Sequence, residues 1–222
     1  MTNQAMNFQA NRDHVMRPIR KLVFGLPLAL GLPLTLGLSL ALSGCLGLGG
    51  GSKAPASLFN LTSASPASAG AEMSGKVEDA IMVLDPDTDR RLAVSRVAVQ
   101  VDASNVAYLA DAQWVEHPAR LFGALLAESI RAKGKRLVFT SEEALGSGRT
   151  RLGGRLIDMG YDARSQSAVV RYEAVRVGPG GAMASKRFEA VIPGISAKPA
   201  MIGPAINRAA NQVAAEVADW VD

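Results

Sequence analysis

The segment from Leu22 to Leu42 carries no charge, and the only cysteine of the chain, Cys45, follows almost at once. No other feature restricts the chain so strongly. So apolar a run must be buried in a core, cross a membrane or be cut away. Arg12, Arg17, Arg20 and Lys21 precede it, and the small residues Ser43 and Gly44 follow it. That is the basic, apolar, small-residue order of a secretory signal. A membrane span needs about 20 apolar residues, which the run supplies. However, Gly25, Pro27, Gly31, Pro33 and Gly37 interrupt it, and each proline costs roughly 3 kcal/mol inside a helix. No basic cluster follows; Leu46 to Ser52 is neutral and Gly-rich. The run therefore reads as a leader and not as a membrane helix.

Leu42-Ser43-Gly44-Cys45 has the form of a bacterial lipobox, in which signal peptidase II recognises the three residues before the cysteine. A thiol can be alkylated by a diacylglyceryl donor, and cleavage then frees the cysteine amine for a third, palmitate-like chain. One acyl chain binds a membrane marginally, whereas two or more anchor stably. Many Gram-negative bacteria use Asp after the cysteine as an inner-membrane retention signal. Leu46 stands there instead, so the expected location is the outer membrane, facing the periplasm. The chain then divides into a leader (residues 1–44), a lipidated cysteine with a Gly/Ser/Ala/Pro-rich tether (45–56) and a single domain (57–222). The last is close to a typical domain length of about 100–150 residues.

The leader also distorts the composition. The whole chain has a formal net charge of +4, a basic balance that invites a nucleic-acid reading. Residues 1–44 hold Arg12, Arg17, Arg20 and Lys21 against Asp13 alone, so 20 of the 24 basic and 19 of the 20 acidic side chains remain beyond them. A near-neutral domain argues against a nucleic-acid partner. With Cys45 acylated, no thiol is left for a disulfide, a nucleophile or a zinc cluster.

His117 is the only histidine after the leader. One histidine cannot build a typical zinc site, and no nucleophile-elbow motif accompanies it. Gly47 to Ser52 and Gly178 to Gly181 lack the Gly-Lys-Ser/Thr of a phosphate loop; the second reads as a hairpin turn. Asp85, Asp87 and Asp89 lack the glycine and distal glutamate of a calcium loop. Asp158 and Asp162 read as strand-end charges facing water. No metal, cofactor or catalytic group is expected, and the chain suits binding better than turnover.

Alternation predicts strands over 57–62, 80–84, 92–101 and 137–140, then a meander over 151–161, 167–177 and 184–192. Residues 63–78 and 142–150 read as loops, and 87–91 as a solvated turn. A helix is expected from Trp114 to Lys133, with Leu121, Leu125, Leu126 and Ile130 on its apolar face and Gly134 as its stop. A second is expected from Lys198 to Trp220, with Ile202, Ile206, Ala209, Ala210, Val213 and Val217 inward. Pro199 and Pro204 leave its start open. The fold class is α/β: a mixed, largely antiparallel sheet with two long helices on one face. Phe59, Phe122, Phe139 and Tyr172 are core candidates. Trp114 either covers the core or meets a partner, since Trp is enriched at such hot spots, and Tyr108 is a second partner-binding candidate.

Ser95 to Val99, followed by Tyr108-Leu109-Ala110-Asp111-Ala112-Gln113-Trp114 and the helix entry through Leu121, resembles the signature region of ABC-type transport auxiliary lipoproteins. The Leu58-Phe59-Asn60-Leu61 strand after a lipobox and a terminal helix ending in Trp220-Val221 fit the same family. The resemblance implies a non-catalytic accessory of an MCE-type (mammalian-cell-entry-like) system moving phospholipid or other apolar cargo between the two membranes. Its implied partners are an MCE-domain periplasmic protein and the associated ABC permease and ATPase, with self-association left open. The competing expectation is a structural or assembly lipoprotein of another envelope complex.

Overall fold

The computed structural model describes residues 57–140 and 150–222. The expected leader and tether, with Cys45, and most of the expected 142–150 loop lie outside them. The described residues form one nine-stranded mixed sheet with two helices. The strands are β1 (Ser57–Phe59), β2 (Ile81–Val83), β3 (Asp87–Thr88), β4 (Arg96–Gln100), β5 (Val106–Trp114), β6 (Val138–Phe139), β7 (Thr150–Asp162), β8 (Ser167–Val177) and β9 (Met183–Ile192). The helices are α1 (Pro118–Ala132) and α2 (Pro199–Val221).

β7 organises the sheet. Its one edge pairs antiparallel with β8 along nearly its whole length, and β8 pairs antiparallel with β9. Its other edge is shared in tandem: β2 lies along Thr150–Leu152, β3 along Arg155–Leu156 and β4 along Gly160–Asp162, all parallel to it. β5 extends the sheet beyond β4, and β1 runs parallel to β5. β6 pairs parallel with β2. Asp162 closes the β7–β8 hairpin by accepting the Arg164 amide at 2.9 Å, and the β8–β9 turn uses Gly180 and Gly181 at positive φ.

Both helices cover one face. In α1 the buried residues include Phe122, Leu125, Leu126 and Ile130, and the Phe122 ring meets Tyr172 of β8 edge-on at 5.2 Å. The Tyr172 hydroxyl donates to the Gly153 carbonyl at 2.6 Å, and burial raises its phenol pKa. α2 buries Ile202, Ile206, Ala209, Ala210, Val213 and Val217 completely. Its small inner residues allow close approach to the sheet. Gly203 places the helix on the Phe59 ring, which a Cβ there would meet at 2.9 Å. At the other end Trp220 meets Phe188 of β9 edge-on at 5.8 Å. Among the described residues no helix is long and apolar enough to cross a membrane.

Several boundaries differ from those expected. Trp114 ends strand β5 and does not open α1. The helix starts at Pro118, and His117 takes the extended conformation that a residue before proline favours, with ψ 138°. Residues 92–95 are turn and bend before β4 begins, although Leu92 is buried there. The 87–91 stretch contributes β3 before turning. Phe139 is half-buried and not central. Residues 63–78 are irregular apart from the entry to a single 3-10 turn at Val77–Asp79. That segment is laid across both helices by its backbone: Ala64 donates to Asn211 at 2.7 Å and Ala67 to Glu128 at 2.8 Å.

Gly154 holds φ +133° in β7, and a Cβ on it would run into the Glu173 carbonyl oxygen. Gly153 beside it would meet only Leu84, at 3.6 Å. Gly154→Ala is therefore expected to cost at least about 2 kcal/mol, read as a lower urea midpoint at unchanged m. Gly153→Ala should cost much less. Equal losses would contradict the role given to the Gly154 backbone.

Candidate interaction face

Among the described residues, with the helices on one side, the other face of the sheet is left to its outward side chains, which alternate with the core residues along each strand. The alternation is broken twice, and both breaks set the chemistry of this face. In β7, Leu156 stands opposite Tyr172 while Asp158 stands opposite Arg171, so one extra residue, Ile157, interrupts the register. The bulge turns Asp158 outward and Met159 inward. In β5, the pairs Arg96↔Gln113 and Ala98↔Tyr108 advance β4 by two residues and β5 by five. Asp111 takes φ 55° within that excess. The odd excess puts Tyr108 on the outer face and Trp114 on the inner one.

Asp158 holds two guanidinium groups, Arg91 and Arg171, each at 2.8 Å. Arg171 also engages Glu189 through Nε at 2.7 Å and Nη2 at 3.3 Å. Arg187 meets Glu173 at 3.1 Å across the same strands. Arg91 donates further to the Ile157 carbonyl at 2.7 Å, beside the bulge, and to Gln100 at 3.2 Å. The turn that delivers Arg91 is closed by Asp89, which accepts the Arg91 amide at 3.0 Å. This gives one member of the Asp85–Asp89 cluster a structural role. Beside these groups lies a shallow polar cavity of about 250 Å³, bordered by Gln100, Gly160 and Arg164. Arg96 stacks on the Tyr108 ring at 3.7 Å, and the Tyr108 hydroxyl reaches the Arg91 carbonyl at 3.4 Å.

Of the two aromatic partner candidates, Tyr108 is therefore half-exposed beside the charged ladder. Trp114 is only 2% exposed and packs edge-on against Phe59 at 5.7 Å. It covers the core and has no surface with which to meet a partner. His117 precedes α1 with its side chain in solvent, and the nearest carboxylate, Glu116, is 4.0 Å away. Among the described residues no cluster of His, Cys, Asp or Glu could hold a metal. Arg91, Arg96, Arg171 and Glu189 were not picked out as site residues from sequence. The available signal was the charge pattern Arg171-x-Glu173 and Arg187-x-Glu189, which becomes a set of cross-strand pairs once the β8–β9 register is known.

The hydrogen bond from Arg171 is the main cause holding the Glu189 carboxyl below the ordinary value of 4.5. A depressed carboxyl contributes stability above its unfolded pKa and loses it as pH falls through the folded one. Urea midpoints should fall with pH below that ordinary value, and Glu189→Gln should flatten part of the fall. Asp158→Asn, which weakens the hold on both arginines, should cost roughly 1–2 kcal/mol at neutral pH. An unchanged acid slope in the first variant, or no loss in the second, would contradict the ladder.

The fold has relatives among solved structures. Protein XCC0632 from Xanthomonas campestris is 17% identical, with a TM-score of 0.62, over 74% of this chain and 94% of that one. A crystal structure of an uncharacterized protein is 13% identical, with a TM-score of 0.59, over 75% of this chain and 98% of that one. At these identities the likeness is one of fold. No curated protein matches the chain. The family model for the ABC-type transport auxiliary lipoprotein component matches residues 59–218, which spans every element from Phe59 through most of α2. The chain belongs to the ABC-type transport auxiliary lipoprotein family.

Proposed function

We propose that the protein is a periplasm-facing accessory lipoprotein, held by acyl chains on Cys45, that docks onto an ABC/MCE-type system moving phospholipid or other apolar cargo between the membranes. The observation that carries this reading is the family match over residues 59–218, joined to the sequence Leu42-Ser43-Gly44-Cys45 after a basic and then apolar N-terminus. The geometry supports docking over catalysis. The polar groups of the uncovered face are engaged with one another in ion pairs, an arrangement suited to orienting a complementary surface. The His117 side chain is exposed, with the Glu116 carboxylate 4.0 Å away. Leu46 supports outer-membrane sorting by the retention rule.

On this reading the ladder and Tyr108 form part of the surface that meets an MCE-domain protein or its permease. Crosslinking in cells followed by purification of this protein should recover one of those partners, and its gene should neighbour an ATPase–permease–MCE run. Charge reversal at exposed Arg187 should lower the crosslinked yield several-fold. Recovery of a different envelope machine, with no such gene neighbours, would overturn the proposal.

A further inference from the structure

A second surface lies where the chain enters the domain. Leu58 of β1 is 63% exposed and lines a shallow cleft with Pro204 and Asn207 of α2. Met201, 50% exposed, lies one helical turn before Pro204, so the two are neighbours on the helix surface. Arg208 is exposed one turn after Pro204, and Lys198 is exposed at the start of the helix. Neither cation has an ion-pair partner among the described residues. The first turn of α2 holds no acidic residue. Glu116, two residues beyond the Phe59↔Trp114 pairing, is turned toward His117 and Arg120, at 4.0 and 3.9 Å.

Single exposed apolar side chains are ordinary. Here they adjoin one another, and two uncompensated cations flank them. That combination suits a membrane interface, where apolar side chains enter the headgroup boundary and basic ones meet anionic lipid. Position on the chain points to the same occupant. Ser57, which opens β1, lies twelve residues after Cys45, so a fully extended connection spans at most roughly 40 Å. The tether thus keeps Leu58, next to Ser57, within roughly that distance of the bilayer.

We propose that Leu58, Pro204 and Met201, with Lys198 and Arg208, dock the domain onto the anionic bilayer surface that holds its own lipid anchor. Docking would fix the orientation of the domain relative to the bilayer. This rests on the lipidation of Cys45 proposed above.

Acylation of Cys45 leaves no other thiol, so a cysteine introduced elsewhere is a unique labelling site. Full-length lipoprotein carrying Leu58→Cys, Met201→Cys or, as a control on exposed β9, Ser185→Cys is labelled with a fluorophore. It is then reconstituted into vesicles of phosphatidylethanolamine and phosphatidylglycerol containing spin-labelled acyl chains. The expected result is several-fold stronger quenching at positions 58 and 201 than at 185, weakened when phosphatidylcholine replaces phosphatidylglycerol. Protein that floats with the vesicles but is quenched equally at all three positions overturns the docking surface alone. Protein that does not float overturns the anchor, and the docking surface with it.

Discussion

The pairing of β7 is the constraint on which the rest of the structure depends. A single strand carries β8 on one edge and β2, β3 and β4 end to end on the other. Such a strand requires backbone to approach backbone closely at several points. Gly154 meets the Glu173 carbonyl and Gly160 meets that of Ala98, both at separations that leave no room for a Cβ. The Ile157 bulge then converts a core position into a surface one. Without it, Asp158 would share the inward face of Leu156. With it, Asp158 sits between Arg91 and Arg171 on the uncovered side. Fold and candidate interaction face thus arise from the same irregularity.

The meander and the helices were legible in the sequence because their side chains alternate or recur with a clean period. β8 has Ala168, Val170, Tyr172 and Ala174 inward, and α2 has its alanines and valines on one stripe. β5 was not legible. Its residues from Val106 to Trp114 hold no steady period of two, because the excess around Asp111 flips the faces midway. The same flip separates Tyr108 from Trp114. Their spacing alone would place them on one face, and only the register reveals that one is half-exposed and the other buried. The charged ladder was hidden for a related reason. Asp158, Arg171 and Glu189 come from three strands, and nothing local in sequence brings them together. Arg91 reaches them from a turn.

An accessory role is consistent with where the polar groups of the domain are engaged. Its buried phenol donates to a backbone carbonyl, its exposed histidine precedes a helix, and its densest charge cluster is paired within itself. These are the features of a shaped surface. The anchor proposed at Cys45 would limit the distance of the domain from the bilayer without setting its orientation.

The account stands or falls on the state of Cys45. Intact-mass spectrometry of the protein extracted from its native membranes tests this directly. The account predicts a chain beginning at Cys45 and heavier than its amino-acid mass by a diacylglyceryl group and a further acyl chain. A chain that retains residues 1–44, or one with a free thiol at Cys45, would contradict it.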